Sequence, residues 1–319
     1  MTDMFFMEAG IPRDDSGRPL IIPRGQTERV PYSRASGVAN ILEDHYHIIK
    51  WQMRGLAKGL SESRDLINMI AAESYTSGFA EDAKENSLAG KRIDGHIEVA
   101  LRRGGTHQKA DYGTAIHALT EPGNAGVIVE KQVLDDTNSC LQLWADMGVR
   151  HVGTEVFTAC DEIKVAGTFD HLSFVPGYGI CVTDKKTSAK ASKHYAVQLG
   201  VYAHSDIYNE DTDQRLTIPE YIKRMGFDPE LWNPHQGIIW WVKNGRTQAR
   251  VLDLDAGWEY AKMAAEIRDD FRKWGVAKDV TKEIIALAEK DGLQYDPDLR
   301  ELTDCSSMDT TAGENFFSL

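Results

Sequence analysis

The sequence lacks several features that would place it at once. Its four cysteines (Cys140, Cys160, Cys181 and Cys305) form no C-x-x-C pair. No zinc-finger module is apparent, and the thiols read as reduced and buried in a cytosolic setting. No apolar run reaches the ~18 residues that a membrane span requires, in keeping with a mean hydropathy of −0.40. The stretch from Met1 to Met7 is too short, and acidic too early at Asp3, for a secretory leader. No internal repeat is evident. The absence of a G-x-x-x-x-G-K-[ST] loop argues against a fused helicase or ATPase motor. Positive charge is also scarce: 36 Lys and Arg face 49 Asp and Glu, for a net charge of −13. Nucleic-acid binders usually show a basic footprint, but phosphate contacts are local and one segment can outweigh the total.

What the chain does have is a β-hairpin pattern from Val165 to Thr187, with a carboxylate on each arm. Both arms are rich in β-branched or aromatic residues, and Pro176-Gly-Tyr-Gly179 between them is a turn signal. Side chains alternate along a strand, so Asp184 and Lys186 share a face. Folding about Gly177 or Tyr178 sets Asp170 opposite Asp184 or Lys186, with directly opposed Cβ atoms ~4.5–5.5 Å apart. Two facing carboxylates repel unless something positive sits between them. Mg²⁺ or Mn²⁺, which prefers oxygen ligands, would serve. A lysine beside such an ion can hold or help deprotonate a water, or steady an oxyanion. That combination suits metal-assisted phosphodiester hydrolysis; the rival reading is a solvent-facing Asp/Lys ladder.

Three flanking elements add to the hairpin. His117 lies on a short helix pattern from Asp111 to Glu121. Glu155 lies on the alternating run Gly153 to Phe157. Gln198 and Tyr202 stand at i, i+4 on one face of a following helix pattern. From Lys185 to Ser205 there are four lysines (Lys185, Lys186, Lys190 and Lys193) and no acid, either a solvated face or a phosphate contact.

The ordered set G-T-A-x-H (Gly113 to His117), G-T-F-D (Gly167 to Asp170), D-K-K-T (Asp184 to Thr187) and Q-L-x-x-Y (Gln198 to Tyr202) resembles the PD-(D/E)XK nucleases. The closest likeness is to the RecB-nuclease branch, with its CRISPR-associated RecB-like and phage exonucleases. The motifs span under a third of the chain. The resemblance implies an α/β fold, a central mixed sheet flanked by helices. It implies that His117, Asp170 and Asp184 bind the metal, that Lys185 offers its backbone carbonyl, and that Lys186 is the catalytic lysine. Gln198 and Tyr202 would orient that lysine or contact phosphate, and Glu155 matches an acid often found one strand earlier. The Tyr32 to Ser36 and Trp51 to Arg54 stretches resemble the N-terminal region of phage exonucleases, which nominates Arg34 and Arg54 for DNA phosphate beside Lys185, Lys190 and Lys193. Mg²⁺ or Mn²⁺ is the implied cofactor. An iron–sulfur cluster is not expected, because only Cys305 lies near the C-terminus.

Elsewhere the pattern is plainer. Residues 1–30 carry Pro12, Pro19 and Pro23 and read as an extended arm. Residues 31–110 read as a helical region. Its first helix is expected to open at Ser33 or Ser36 and to bury Val38, Ile41, Leu42, Ile48, Ile49 and Met53; further helices are expected over 63–74 and 80–101. The core is expected over 111–275: a helix over 129–147, the strand with Glu155, the hairpin and a helix over 193–208. An insertion with a short helix over 219–225 follows. A strand over 237–242 then turns at Asn244-Gly245 into a return strand over 249–254, and a helix over 258–274 closes the domain. Trp240 and Trp241 read as core rather than as a base-stacking platform. Residues 276–319 read as a helix over 280–290 and an acidic, mobile tail.

The expected function is metal-dependent DNA exonuclease action in phage recombination, repair or processing. The alternatives are an endonuclease on the same core, a non-catalytic DNA- or partner-binding module, and a hydrolase of small phosphoesters. DNA with linear ends is the implied partner; a single-strand annealing or single-strand-binding protein and a homo-oligomer are also admitted, and a membrane is not. The expected compartment is the cytoplasm, the host's if the chain is phage-encoded.

Overall fold

β-Branched and aromatic residues concentrate in three successive runs, and these become the long central strands of one sheet. The computed structural model describes residues 11–77, 88–120, 131–188 and 192–273. The chain divides into two compact units, 1–270 and 271–319, and the account below concerns the first. In chain order the elements are β1 (Leu20–Ile21), β2 (Val30–Pro31), β3 (Ser33–Arg34), α1 (Ala35–Asn40), α2 (Tyr46–Ser61), α3 (Arg64–Ser77), α4 (Leu88–Arg103), α5 (Gln108–Thr120) and α6 (Lys131–Met147). Then come β4 (Arg150–Cys160), β5 (Val165–Val175), β6 (Gly179–Lys186), α7 (His194–Ala203), β7 (Asp206–Tyr208), β8 (Arg215–Leu216), α8 (Ile218–Arg224), β9 (Gln236–Lys243), β10 (Arg246–Asp253) and α9 (Leu254–Lys273).

The sheet has eight strands in the order β10-β9-β6-β5-β4-β7-β8, with β3 added beside β5. It is mixed: β6 runs parallel to β9, and β3 parallel to β5, while the other pairs are antiparallel. The fold is thus α/β, a mixed central sheet flanked by helices. One face packs Val165, Phe169, Leu172, Ile180, Val182 and Ile239 against α1, α7, α8 and α9. The other packs Val175, Cys181, Ile238, Trp240 and Val242 against Ile116 of α5 and Val133, Cys140 and Trp144 of α6. Each apolar side chain wholly buried in these layers contributes ~1.5–3 kcal/mol, which is what fixes the sheet's register. Cys140, Cys160 and Cys181 are free, buried thiols.

Residues 11–34 form an extended arm that is tied down. Ile11, Ile21 and Tyr32 pack with Phe157, Ala159, Ala166 and Tyr208. Polar anchors hold the same segment: Arg24 on Asp206 (2.8 Å), Arg29 on Asp213 (2.7 Å) and the Tyr32 hydroxyl on Asp161 (2.6 Å).

Several expected elements differ. Ser33 does not cap a helix; with Arg34 it joins β5 as a strand, because the Ser33 N–H finds the Lys164 carbonyl (2.9 Å). The first expected helix is two, α1 and α2, separated by residues 41–45. Val38 is buried, but Ile41, Leu42, Ile48, Ile49 and Met53 are exposed, and α2 buries only Gly55 and Gly59. At Gly59 a Cβ would stand 1.8 Å from the Ala100 carbonyl oxygen, so backbone contact with α4 replaces side-chain packing on that face. The helix after the hairpin ends at Ala203, because Asp206–Tyr208 is recruited as a strand beside β4. The return strand ends at Asp253 and Leu254 already begins α9. The expected helix over 280–290, the acidic tail, Cys305 and Lys190 lie outside the described residues. Among the described residues no helix is long and apolar enough to cross a membrane.

Candidate metal centre

Three neighbouring strands carry one acid each at the same level of the sheet. In the β5–β6 ladder His171 pairs with Thr183, so one step further Asp170 stands across from Asp184; of the two expected pairings, the hairpin adopts this one. In the β4–β5 ladder Thr154 pairs with His171 and Val156 with Phe169, which sets Glu155 across from Asp170. At this level the alternation of β5 slips by one residue. Val165 and Phe169 before it, and Leu172 and Phe174 after it, all pack on one layer. Opposite the slip, Glu155 has a φ of 50°, a left-handed backbone of the kind that costs ~1–3 kcal/mol and gathers at functional sites.

His117, Asp170 and Asp184 each offer a ligand atom within 4.8 Å of the others. His117 Nδ1 lies 3.1 Å from Asp170 Oδ2, and its Nε2 lies 3.1 Å from the Lys185 carbonyl oxygen. The Lys185 N–H donates to Asp170 Oδ2 (3.1 Å). Asp184 is only 4% exposed. Its Oδ2 takes the Lys186 ammonium at 2.5 Å, and its buried Oδ1 has no hydrogen-bond partner among the described residues. Glu155 is exposed and is not part of the three-residue cluster.

The charges follow from these contacts. Burial disfavours the Asp170 carboxylate, but the His117 hydrogen bond, a hydrogen bond with Asp184, the His117 charge and the Lys185 N–H outweigh it and hold the acid well below its usual value. Asp184 goes the other way: burial raises it, Lys186 opposes the rise and the Asp170 charge adds to it. Burial resists protonation of His117 and Lys186, yet their acid partners leave both raised. The cluster therefore holds two cation–acid pairs and an Asp184 oxygen that, among the described residues, has only the Asp170 carboxyl to meet, and then only when Asp184 is protonated. A buried acceptor without a donor is costly, and a hard divalent cation is the natural partner for such an oxygen-rich set. Mg²⁺ or Mn²⁺ could be held there by Asp170, Asp184, the Lys185 carbonyl and His117, which would give up its ring proton to the solvent on binding.

The Lys185 side chain corrects an expectation. Strand alternation sends it to the opposite face from Asp184 and Lys186, where it is 0% exposed. Its Nζ donates to Thr120 Oγ1 (2.8 Å) and lies 6.0 Å from the Trp144 ring centroid. It has no surface to give DNA. It ties β6 to the end of α5, the helix that carries His117.

Gln198 Nε2 donates to the hydroxyl of buried Tyr202 (3.2 Å). The ring beneath Lys186 is a residue the motif reading missed, Tyr195, with Nζ 5.2 Å from its centroid; its i, i+3 spacing to Gln198 was the available signal. Two motif glycines mark where the motifs meet. A Cβ on Gly113 would lie 3.3 Å from Thr187 Oγ1, and one on Gly167 would lie 3.2 Å from the Tyr202 hydroxyl. Arg34 lies on β3 and donates to the Gly17 carbonyl (3.2 Å). Arg54 is exposed on α2, and Lys193 is exposed just before α7.

A cleft of about 1500 Å³ opens over His117 and Lys186, walled by Ile48 and Trp51 of α2 on one side and by Lys243 and Asn244 of the β9–β10 turn on another. Neither Arg34, Arg54 nor Lys193 lines it. Compared with family models and with curated proteins, the chain finds no match.

Proposed function

We propose that the chain is a Mg²⁺- or Mn²⁺-dependent DNA exonuclease built on a PD-(D/E)XK core. The observation that carries this reading is the Asp184 carboxylate, buried beside Asp170 and His117 with the Lys186 amine on one oxygen and, among the described residues, no hydrogen-bond donor on the other. A bound Mg²⁺ or Mn²⁺ would polarise a phosphoryl oxygen and lower the pKa of its water. Lys186 is held as an ammonium by Asp184, so its role is to donate to a phosphoryl oxygen and to orient the attacking water. Tyr195 limits the motion of the lysine stem, and Lys185 and Thr120 fix the helix that presents His117. Gln198 and Tyr202 brace the same side of the sheet.

The test is degradation of linear double-stranded DNA with Mn²⁺, with Mg²⁺ and with EDTA, for the wild type and for Lys186→Ala, with closed circular DNA as control. Loss of linear DNA only with metal and only in the wild type is the expected result. Nicked circles would replace the exonuclease with an endonuclease. Intact DNA in every condition would sink both.

A further inference from the structure

We infer that the outer end of the sheet is a phosphate-binding track, which leads a DNA strand away from the metal centre along β9 and β10. The inference rests on the nuclease reading above, and extends it to residues that no motif singled out.

The parallel pairing of β6 with β9 and the antiparallel pairing of β9 with β10 put the relevant residues in two rows. Lys186 pairs with Trp241, which pairs with Gln248; Asp184 pairs with Ile239, which pairs with Arg250. In-register side chains share a face, so Gln248 and Arg250 project on the metal-binding side of the sheet. Two strand spacings, ~10 Å, separate them from Lys186 and Asp184. Arg246 joins them by alternation, paired with Lys243 across the turn.

A second cavity, of about 500 Å³, lies on this surface. It is lined by Trp241, Lys243, Asn244, Arg246, Gln248 and Arg250. Three of these are cations and none is an acid, in a chain whose net charge is −13. Among the described residues no carboxylate pairs with Lys243, Arg246 or Arg250, whereas Arg24 is tied to Asp206 and Arg103 to Asp65. Lys243 and Asn244 also line the larger cleft, so the two cavities adjoin.

Trp241 explains why the site is aimed. Its Nε1 donates to the Ser188 carbonyl (2.8 Å), two residues past Lys186, and the Arg250 guanidinium lies 3.4 Å from its ring centroid. The ring face that a base would need is therefore occupied by the arginine. Gln248 accepts a further hydrogen bond from Arg250 (3.1 Å). Stacked and braced in this way, the guanidinium loses little freedom on meeting an anion. Backbone phosphate is the ligand this chemistry takes, and contacts of this kind position a strand without reading its sequence.

The experiment uses the full chain and the double variant Arg246→Gln/Arg250→Gln. Binding of labelled single-stranded and duplex oligonucleotides is followed by fluorescence anisotropy in Ca²⁺ across a salt series, and hydrolysis of bis(p-nitrophenyl) phosphate in Mn²⁺ is measured in parallel. The variant is expected to bind at least about tenfold more weakly at low salt, with the slope of log K against log salt shallower by ~1.4 for a single strand or ~1.8 for a duplex. Small-diester hydrolysis is expected to stay at the wild-type rate. The form of DNA that shows the loss is the one that follows the track. Unchanged affinity and slope, with wild type binding normally, would overturn the track and leave the nuclease reading intact. An equal fall in diester hydrolysis would assign the arginines to the fold instead. A wild type that neither binds DNA nor cleaves the diester would overturn the nuclease reading, and the track with it.

Discussion

His117 Nδ1 stands 3.1 Å from Asp170 Oδ2. The two come from the first and second of the four motifs, a helix and a strand separated by α6 and β4, and their contact closes one side of the candidate centre. The other side is Asp184, which takes a cation on one oxygen and, among the described residues, no donor on the other. This asymmetry gives the first prediction. Mn²⁺ or Ca²⁺ is expected to raise the melting temperature of the wild type, and Asp184→Asn is expected to abolish that rise. Without metal, Asp184→Asn removes a buried like-charge neighbour of Asp170 but also strips the Lys186 ammonium of its carboxylate, and the second effect is expected to prevail, so the variant melts lower than wild type. Thermal unfolding with metal and with EDTA checks both halves; a variant that keeps the metal-induced rise would remove Asp184 from the ligand set.

Gly167 leaves space for the Tyr202 hydroxyl, 3.2 Å from where a Cβ would stand. Gly167→Val is expected to push Tyr202 off the sheet and cost ~1–3 kcal/mol, as overpacking of a tight core does. Nuclease activity is expected to fall further than stability. Urea unfolding and DNA degradation, measured on one preparation, separate the two effects.

Lys185→Met is expected to leave the salt dependence of DNA binding at its wild-type slope, because the lysine has no exposed surface. A shallower salt slope in this variant would mean that Lys185 reaches DNA after all.

Behind the sheet, His151 and His171 face each other with ring centroids 4.3 Å apart. Burial, with the Lys185 charge adding to it, pulls His151 down to about 4 and His171 down to about 2. Among the described residues neither ring nitrogen of His171 has a hydrogen-bond partner. Above the ordinary histidine value of 6.5 both are neutral, folded or unfolded, and nothing is lost. Below it the unfolded chain takes up protons that the native pair cannot, so stability falls as pH drops from about 6.5 towards about 4. Melting temperatures across that range should show the decline, and His171→Phe should flatten it. An equal decline in the variant would place its origin elsewhere.

Much of this was legible in the chain. The hairpin from Val165 to Lys186 was readable because its strands alternate and its turn is local, and its register needed only the turn centre to be fixed. The Asn244-Gly245 turn was readable for the same reason; both residues have positive φ (53° and 69°). Lys185 was misplaced because a charged residue in a basic run reads as surface, and only its strand parity, with Thr120 across the layer, shows otherwise. The exposed apolar residues of α2 were misread because periodicity shows that a face exists but not what lies against it; here Gly59 brings α4 against the opposite face. The β6–β9 pairing was not legible at all. It joins Asp184 to Ile239 across more than fifty residues, and no local pattern encodes such a contact.

The outermost position of β10 has one more consequence. An unpaired strand edge is a template on which another chain can add itself, and proteins commonly blunt such edges with charge. Among the described residues Arg246 and Arg250 stand on that strand without carboxylate partners, so the groups that would draw a phosphate backbone also repel a second copy of the same edge. Replacing them with apolar residues would then do more than weaken binding: it would leave a bare template and invite self-association in place of DNA.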